Sequence, residues 1–193
     1  MEKLEKLEQH VRQLYNDPKP GRSEWADWLA DNHVFVVADY ATELADKHGS
    51  NKELTRVAAL LHDIADVKMK RSDPTHEEES LRMARQLMQK AGYTAEEVAL
   101  VVDDAIRYHS CYGDKRPKSL EGRILATADS MAHLKTDFYV FAAWALGRGS
   151  TLQELKEWVL TKIDRDLNNK IQFDDVRADV MPDYEMVKEL FSR

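Results

Sequence analysis

An all-α bundle of eight or nine helices is what the sequence predicts. Three observations carry that expectation. Apolar residues recur at helical spacing along nearly the whole chain, with no convincing strand alternation. Gly and Pro are few, 7 and 5 of 193 residues. Helix start and stop signals recur between the periodic segments.

Leu4, Leu7, Val11 and Leu14 stripe a first helix that stops before the turn-forming segment NDPKPG. A second, long helix runs from about Ser23 to His48 and ends at Gly49. Asn51 caps a third, which carries VAALLHDIADV, residues 57–67. KMKRSDP is a loop. Thr75 opens a fourth helix, with Glu78 three residues on as a capping box, and Gly92 closes it. Thr94 and Glu97 repeat that signature for a fifth helix reaching about His109. After the loop SCYGDKRPKS, a sixth helix spans about Leu120 to Lys135. Further helices are expected near 137–147, 150–168 and 182–192. No repeat or long linker divides the chain, so residues 1–193 read as one domain.

Composition narrows the function. A net charge of −7 and a pI near 5.5 argue against nucleic-acid binding, which needs a basic footprint. No apolar run is long enough for a membrane span, and the charged start MEKLEKLEQH is unlike a signal peptide. The lone cysteine, Cys111, leaves neither an intramolecular disulfide nor a thiolate zinc site, so a cytoplasmic protein is expected.

The chemistry lies in the histidines. His62 and Asp63 stand side by side at the end of an apolar helix. His33 falls on the stripe Leu29, Val36, Tyr40 and Leu44, and His109 closes the stripe Val98, Val102, Ala105 and Ile106. His76 opens the fourth helix in line with Ser80, Ala84 and Leu87, and Asp129 sits in the apolar ILATADSMA. A buried carboxylate is costly unless paired or bound to a metal. Inward histidines, inward aspartates and few inward Lys or Arg therefore point to metal, and imidazole with carboxylate suits zinc, iron, manganese and related ions. Taken alone, each of these residues reads first as a satisfied core histidine or a capping aspartate; it is the six together that point to metal.

The order His33, His62–Asp63, His76, His109, Asp129 resembles the HD-domain metal-dependent phosphohydrolases. It is similar in particular to their two-metal H…HD…H…H…D branch, which includes bacterial diadenosine tetraphosphate hydrolases. The resemblance covers about residues 25–135 and extends to AALLHDIA, AIRYH and ATADS. It implies one ion held by His33, His62, Asp63 and Asp129, and a second held by His76 and His109 with Asp63 bridging. One or two divalent ions are implied, iron or manganese before zinc, cobalt, nickel or magnesium. The implied activity is hydrolysis of a nucleotide, dinucleotide polyphosphate or other small phosphate ester by a metal-activated water.

The resemblance has one departure. Many relatives carry a Lys where Asp66 stands. Asp66 reads either as a general acid or, by preference, as a solvated loop residue. Lys68, Lys70 and Arg71 read either as phosphate contacts or as a wet basic loop. His133 shares a helix face with Asp129 and reads first as a core or surface residue, with a supporting place behind the metal ligands as the alternative. Trp25, Trp28 and Trp144 read as core or groove lining. Rival metal and nucleotide motifs (E-x-x-H, H-E-x-x-H, the P-loop, G-x-S-x-G) are absent from the sequence. Two other functions share the ligand pattern: a mixed-valence di-iron oxygenase and a non-catalytic metal-binding regulator. The amphipathic C-terminal helices could close the bundle, cover the site or form a homodimer surface.

Overall fold

The computed structural model describes residues 2–146 and 149–193, and the described residues form nine helices and no strand. α1 is Lys3–Asn16, with Leu7, Val11 and Tyr15 turned inward. α2 (26–48) joins Ala26–Leu29, a π turn at Ala30–Val34 and Phe35–His48. It ends as expected at Gly49, whose φ of 74° is the left-handed cap conformation that favours glycine. α3 is Lys52–Leu61, capped by the Asn51 side chain accepting from the Leu54 amide at 3.1 Å. A short 3₁₀ turn, Ile64–Val67, comes next.

α4 is His76–Ala91. Its expected capping box does not form. The Thr75 hydroxyl and amide both donate to Asp73 Oδ1, at 2.6 and 2.8 Å, and Glu78 reaches Arg107 at 3.0 Å. A nearby carboxylate is the stronger acceptor, and it takes the threonine that would otherwise cap the helix. α5 (95–106) begins with the expected Thr94–Glu97 box and continues as a π stretch, Ala99–Ile106. α6 is Leu120–Leu134, α7 Phe138–Leu146, and α8 (152–170) joins Leu152–Arg165 to a π turn, Asp166–Lys170. The expected end of the seventh helix near 147 lies outside the described residues.

α9 is Asp174–Ser192, eight residues longer at its start than 182–192. Pro182 lies inside it. Burial of Val176 and Val180 ahead of the proline, and of Tyr184 and Val187 after it, favours one continuous helix despite the missing N–H.

α6 is the central element. α2, α3, α5, α8 and α9 all pack against it. Gly122 marks the closest approach. A Cβ there would lie 2.5 Å from Pro117 Cβ and 2.9 Å from the Ala105 Cα of α5. Gly122→Ala is therefore expected to cost about 1–3 kcal/mol by overpacking, read as a lowered urea midpoint. No helix among the described residues is long and apolar enough to cross a membrane.

Candidate metal centre

Four helices and their ends bring five side chains together beside α6. His33 comes from the π turn of α2, His62 from the C-terminal end of α3 and Asp63 from the residue after it. His109 lies just past the last turn of α5, and Asp129 lies mid-way along α6. π turns recur at functional sites because the extra residue per turn re-aims the side chains beyond it. Here the π segments carry His33, precede His109, and hold Asp166 and Lys170.

The donor atoms converge. Those of His33, His62 and Asp129 lie within 4.8 Å of one another, and so do those of His62, Asp63 and His109. Nε2 of His62 is 3.4 Å from Nε2 of His33 and 3.5 Å from Asp63 Oδ2. Asp129 Oδ1 lies 3.2 Å from His33 Nε2 and 3.9 Å from His62 Nε2, yet this buried oxygen accepts no hydrogen bond from the described residues. A buried carboxylate oxygen without a donor, among imidazole nitrogens, is chemically a metal-ligand arrangement.

Backbone carbonyls prepare two of the rings. His62 Nδ1 donates to the Ala59 carbonyl at 2.7 Å, and His109 Nδ1 to the Ile106 carbonyl at 2.6 Å. A carbonyl only accepts, so Nδ1 carries a proton and Nε2 is the ring nitrogen left facing inward. Burial, together with the neighbouring His62, pushes the His109 pKa down to about 4. Burial likewise lowers His33. Burial by itself would raise Asp129, but the His133 ring and the Lys170 ammonium hold it well below the usual carboxylate range.

Other sequence expectations are placed differently. His76 belongs to neither donor cluster; its Nε2 pairs with Asp66 Oδ1 at 3.0 Å. Asp66, expected in a solvated loop, is fully buried. Arg71 explains why. Its Nη2 pairs with Asp66 Oδ2 at 2.5 Å and with Asp63 Oδ2 at 2.7 Å, and its Nε donates to Asp66 Oδ1 at 3.2 Å. Lys68 and Lys70 are exposed, and Lys68 pairs with Glu79 at 2.5 Å.

The expectation of few inward cations is overturned. Lys170 is 2% exposed and donates to Asp129 Oδ2. Lys162 lies 3.0 Å from His133 Nδ1 and 3.2 Å from Asp166 Oδ2. Asp166 is fully buried, and the Tyr139 hydroxyl donates to it at 2.5 Å. His133 bridges this layer to the donor cluster, with Nε2 3.3 Å from Asp129 and Nδ1 3.1 Å from Asp166, its ring stacked on His33 at 4.9 Å. Sequence reading offered this supporting place for His133 only as the second choice and missed the Lys162–Asp166–Lys170 ladder. The available signal was its four-residue spacing beside the stripe Leu155, Val159, Ile163 and Leu167; such ladders usually face water.

A cavity of about 880 Å³ opens over Asp63, His109 and Asp129. Arg71, Lys162, Arg165 and Lys170 line it with one sign of charge, Glu154 and Glu157 with the other, and Trp25, Phe138, Phe141 and Trp158 supply aromatic surface.

Residues 30–134 match the family described as HD domain. The chain belongs to the HD domain family. The matched span contains His33, His62, Asp63, His76, His109 and Asp129, whereas Lys162, Asp166 and Lys170 lie beyond it. HD domains bind divalent metals, and the donor clusters of this chain suit such an ion. No curated protein matched the chain.

The fold is shared with solved structures. A predicted HD superfamily hydrolase from an uncultured Thermotogales bacterium is 24% identical, with a TM-score of 0.62 over 100% of this chain and 91% of that one. Bacillus subtilis YpgQ is 21% identical, with a TM-score of 0.71 over 98% of this chain and 90% of that one. YpgQ solved in complex with ADP gives 21% and 0.70 over 98% and 92%.

Proposed function

We propose that this HD domain is a metal-dependent phosphohydrolase acting on a nucleotide, dinucleotide polyphosphate or other small phosphate ester. The observation that carries the reading is the convergence of buried imidazoles and aspartates beside a cavity that Asp63, His109 and Asp129 line together with four cations. His33, His62 and Asp129 would hold the ion, with Asp63 and His109 beside them. Such an ion supplies Lewis-acid polarisation of a phosphoryl oxygen and a more acidic water.

The chain's own groups do the rest. Lys170 fixes one oxygen of Asp129 and leaves the other facing the imidazoles. Lys162 and Arg165 meet the phosphate chain, as guanidinium and ammonium groups do in water-poor clefts. Burial, opposed by Asp166, pushes the Lys162 ammonium down to about 8, so it is still charged at neutral pH. Trp25, Phe138, Phe141 and Trp158 offer surfaces on which a base can stack, and the cavity volume suits a nucleotide. Asp66, with both oxygens taken, is a positioning residue in this reading rather than a general acid.

The test is phosphate release from nucleoside mono-, di- and triphosphates and dinucleotide polyphosphates, using untagged protein stripped with EDTA and reloaded with manganese, iron or cobalt. The structural neighbour solved with ADP makes nucleotides the first compounds to try. Metal-dependent release from one class is the expected result. Oxygen consumption with iron and no phosphate release would favour the oxygenase reading instead. Lys162→Met is expected to raise KM roughly 10-fold, the equivalent of about 1.4 kcal/mol of binding, with a smaller change in kcat. An unchanged KM would remove Lys162 from the substrate site.

A further inference from the structure

We propose that Arg71 takes the place of a second metal ion: the chain binds one divalent ion, and the Arg71 guanidinium is the fixed second positive charge beside it. The inference rests on the metal-dependent reading above and concerns how many ions that site accepts.

The donor atoms carry the argument. Both clusters contain His62, and His62 has one nitrogen to give, because Nδ1 is bonded to the Ala59 carbonyl. An imidazole nitrogen has a single lone pair and serves one ion. The clusters are therefore overlapping halves of one donor set, not two complete sites. A separate second ion would have to draw on Asp63, His109 and His76.

Two of those three ligands are committed elsewhere. Asp63 Oδ2 pairs with Arg71 Nη2 at 2.7 Å. His76 Nε2 is held by Asp66 Oδ1 at 3.0 Å. Asp66 is itself fixed by two nitrogens of Arg71, at 3.2 and 2.5 Å. One guanidinium thus neutralises the carboxylate that would bridge two ions and, through Asp66, engages the histidine that would hold the second. A further dication sharing Asp63 would meet the guanidinium as a like charge at short range.

The substitution also has a chemical use. Arg71 lines the cavity, with 31% of its side chain exposed. A guanidinium presents several N–H groups in a plane and suits a phosphoryl oxygen, which is the electrostatic part a second ion plays. Arg71 cannot lower the pKa of a shared water. In this chain that task belongs to the single ion.

Metal counting tests the proposal without reference to turnover. Untagged wild type, Arg71→Met and Arg71→Lys are stripped with EDTA, reloaded with excess manganese and desalted. Manganese per chain is then measured by elemental analysis, and its electron paramagnetic resonance spectrum recorded. The expected result is about one equivalent with an isolated-ion spectrum in wild type and Arg71→Lys. Arg71→Met is expected to bind about two, with an exchange-coupled spectrum. Should Arg71→Met not fold, Arg71→Gln replaces it, keeping a donor for the carboxylates without the charge. Two coupled equivalents in wild type would overturn the proposal and leave metal-dependent hydrolysis standing. One equivalent in both wild type and the uncharged variant would overturn it too, since something other than Arg71 would then exclude the second ion. No manganese in any of the proteins would overturn the metal-dependent reading itself.

Discussion

Asp129→Ala is expected to abolish metal binding and, in metal-free protein, to cost about 3 kcal/mol of folding stability. The stability loss comes from Lys170. Its buried ammonium donates to Asp129 Oδ2, and removing one partner of a buried pair typically costs about 3–5 kcal/mol because the other charge is left uncompensated. Asp166, 3.9 Å from the same ammonium, offsets part of that, which places the expectation at the low end. The proposed phosphohydrolase activity should fall by on the order of 10³-fold, equivalent to about 4 kcal/mol of barrier.

A second substitution separates the two roles. Asp129→Ala combined with Lys170→Met removes both charges, so the urea midpoint measured in EDTA should recover most of its loss. Metal content and activity should not recover. If the double variant stays as unstable as Asp129→Ala, the ion pair is not the source of the cost. If it regains metal, Asp129 is not a ligand.

The metal-free protein should also lose stability steeply as pH falls from about 6.5 to 4. Burial pushes His109 down to about 4 and His133 to about 3. In the unfolded chain both titrate near 6.5. Below that pH the unfolded state binds protons that the folded state refuses, so stability is complete above about 6.5 and declines with acid. Two such groups give a slope approaching about 2.7 kcal/mol per pH unit, or roughly 4 kcal/mol lost by pH 5.

The carboxylates act in a different window. Against the raising effect of burial, Arg71 and His62 hold Asp63 below the usual range, and Lys162 and His133 hold Asp166 there. Depressed carboxylates contribute stability above about pH 3.9 and lose it below. Urea midpoints in EDTA at pH 7, 6 and 5 therefore read the histidines. Equal midpoints at pH 7 and 5 would contradict the account. Replacing His133 with Asn should flatten the dependence by about half.

Short-range physics made much of this protein legible. The 3.6-residue spacing and the scarcity of Gly and Pro are enough for an all-α fold. Asn51, the Thr94–Glu97 box, Gly49 and Gly92 act within one helical turn, and each forms as expected. His33, His62, Asp63, His109 and Asp129 could be named because each ionisable group interrupts an apolar stripe that must face the core.

Partner choice was not legible, because it is set across the chain. Lys170 meets Asp129 over 41 residues, and Ser130 meets the Asp166 carbonyl over 36. From its neighbours alone, the Lys162–Asp166–Lys170 ladder reads as a wet face. Only the packing of α8 against α6 buries it and makes it the second layer of the site. The same holds for Arg71, whose loop reads as solvated until Asp63 and Asp66 are brought to it. The π turns that aim His33 and Lys170 leave no mark on a 3.6-residue pattern. By itself the sequence determined that the apolar stripes, and the histidines and aspartates that interrupt them, must be buried. The tertiary structure decided which charge each of them faces, because Coulomb and hydrogen-bond energies depend on distances in space that no local periodicity encodes.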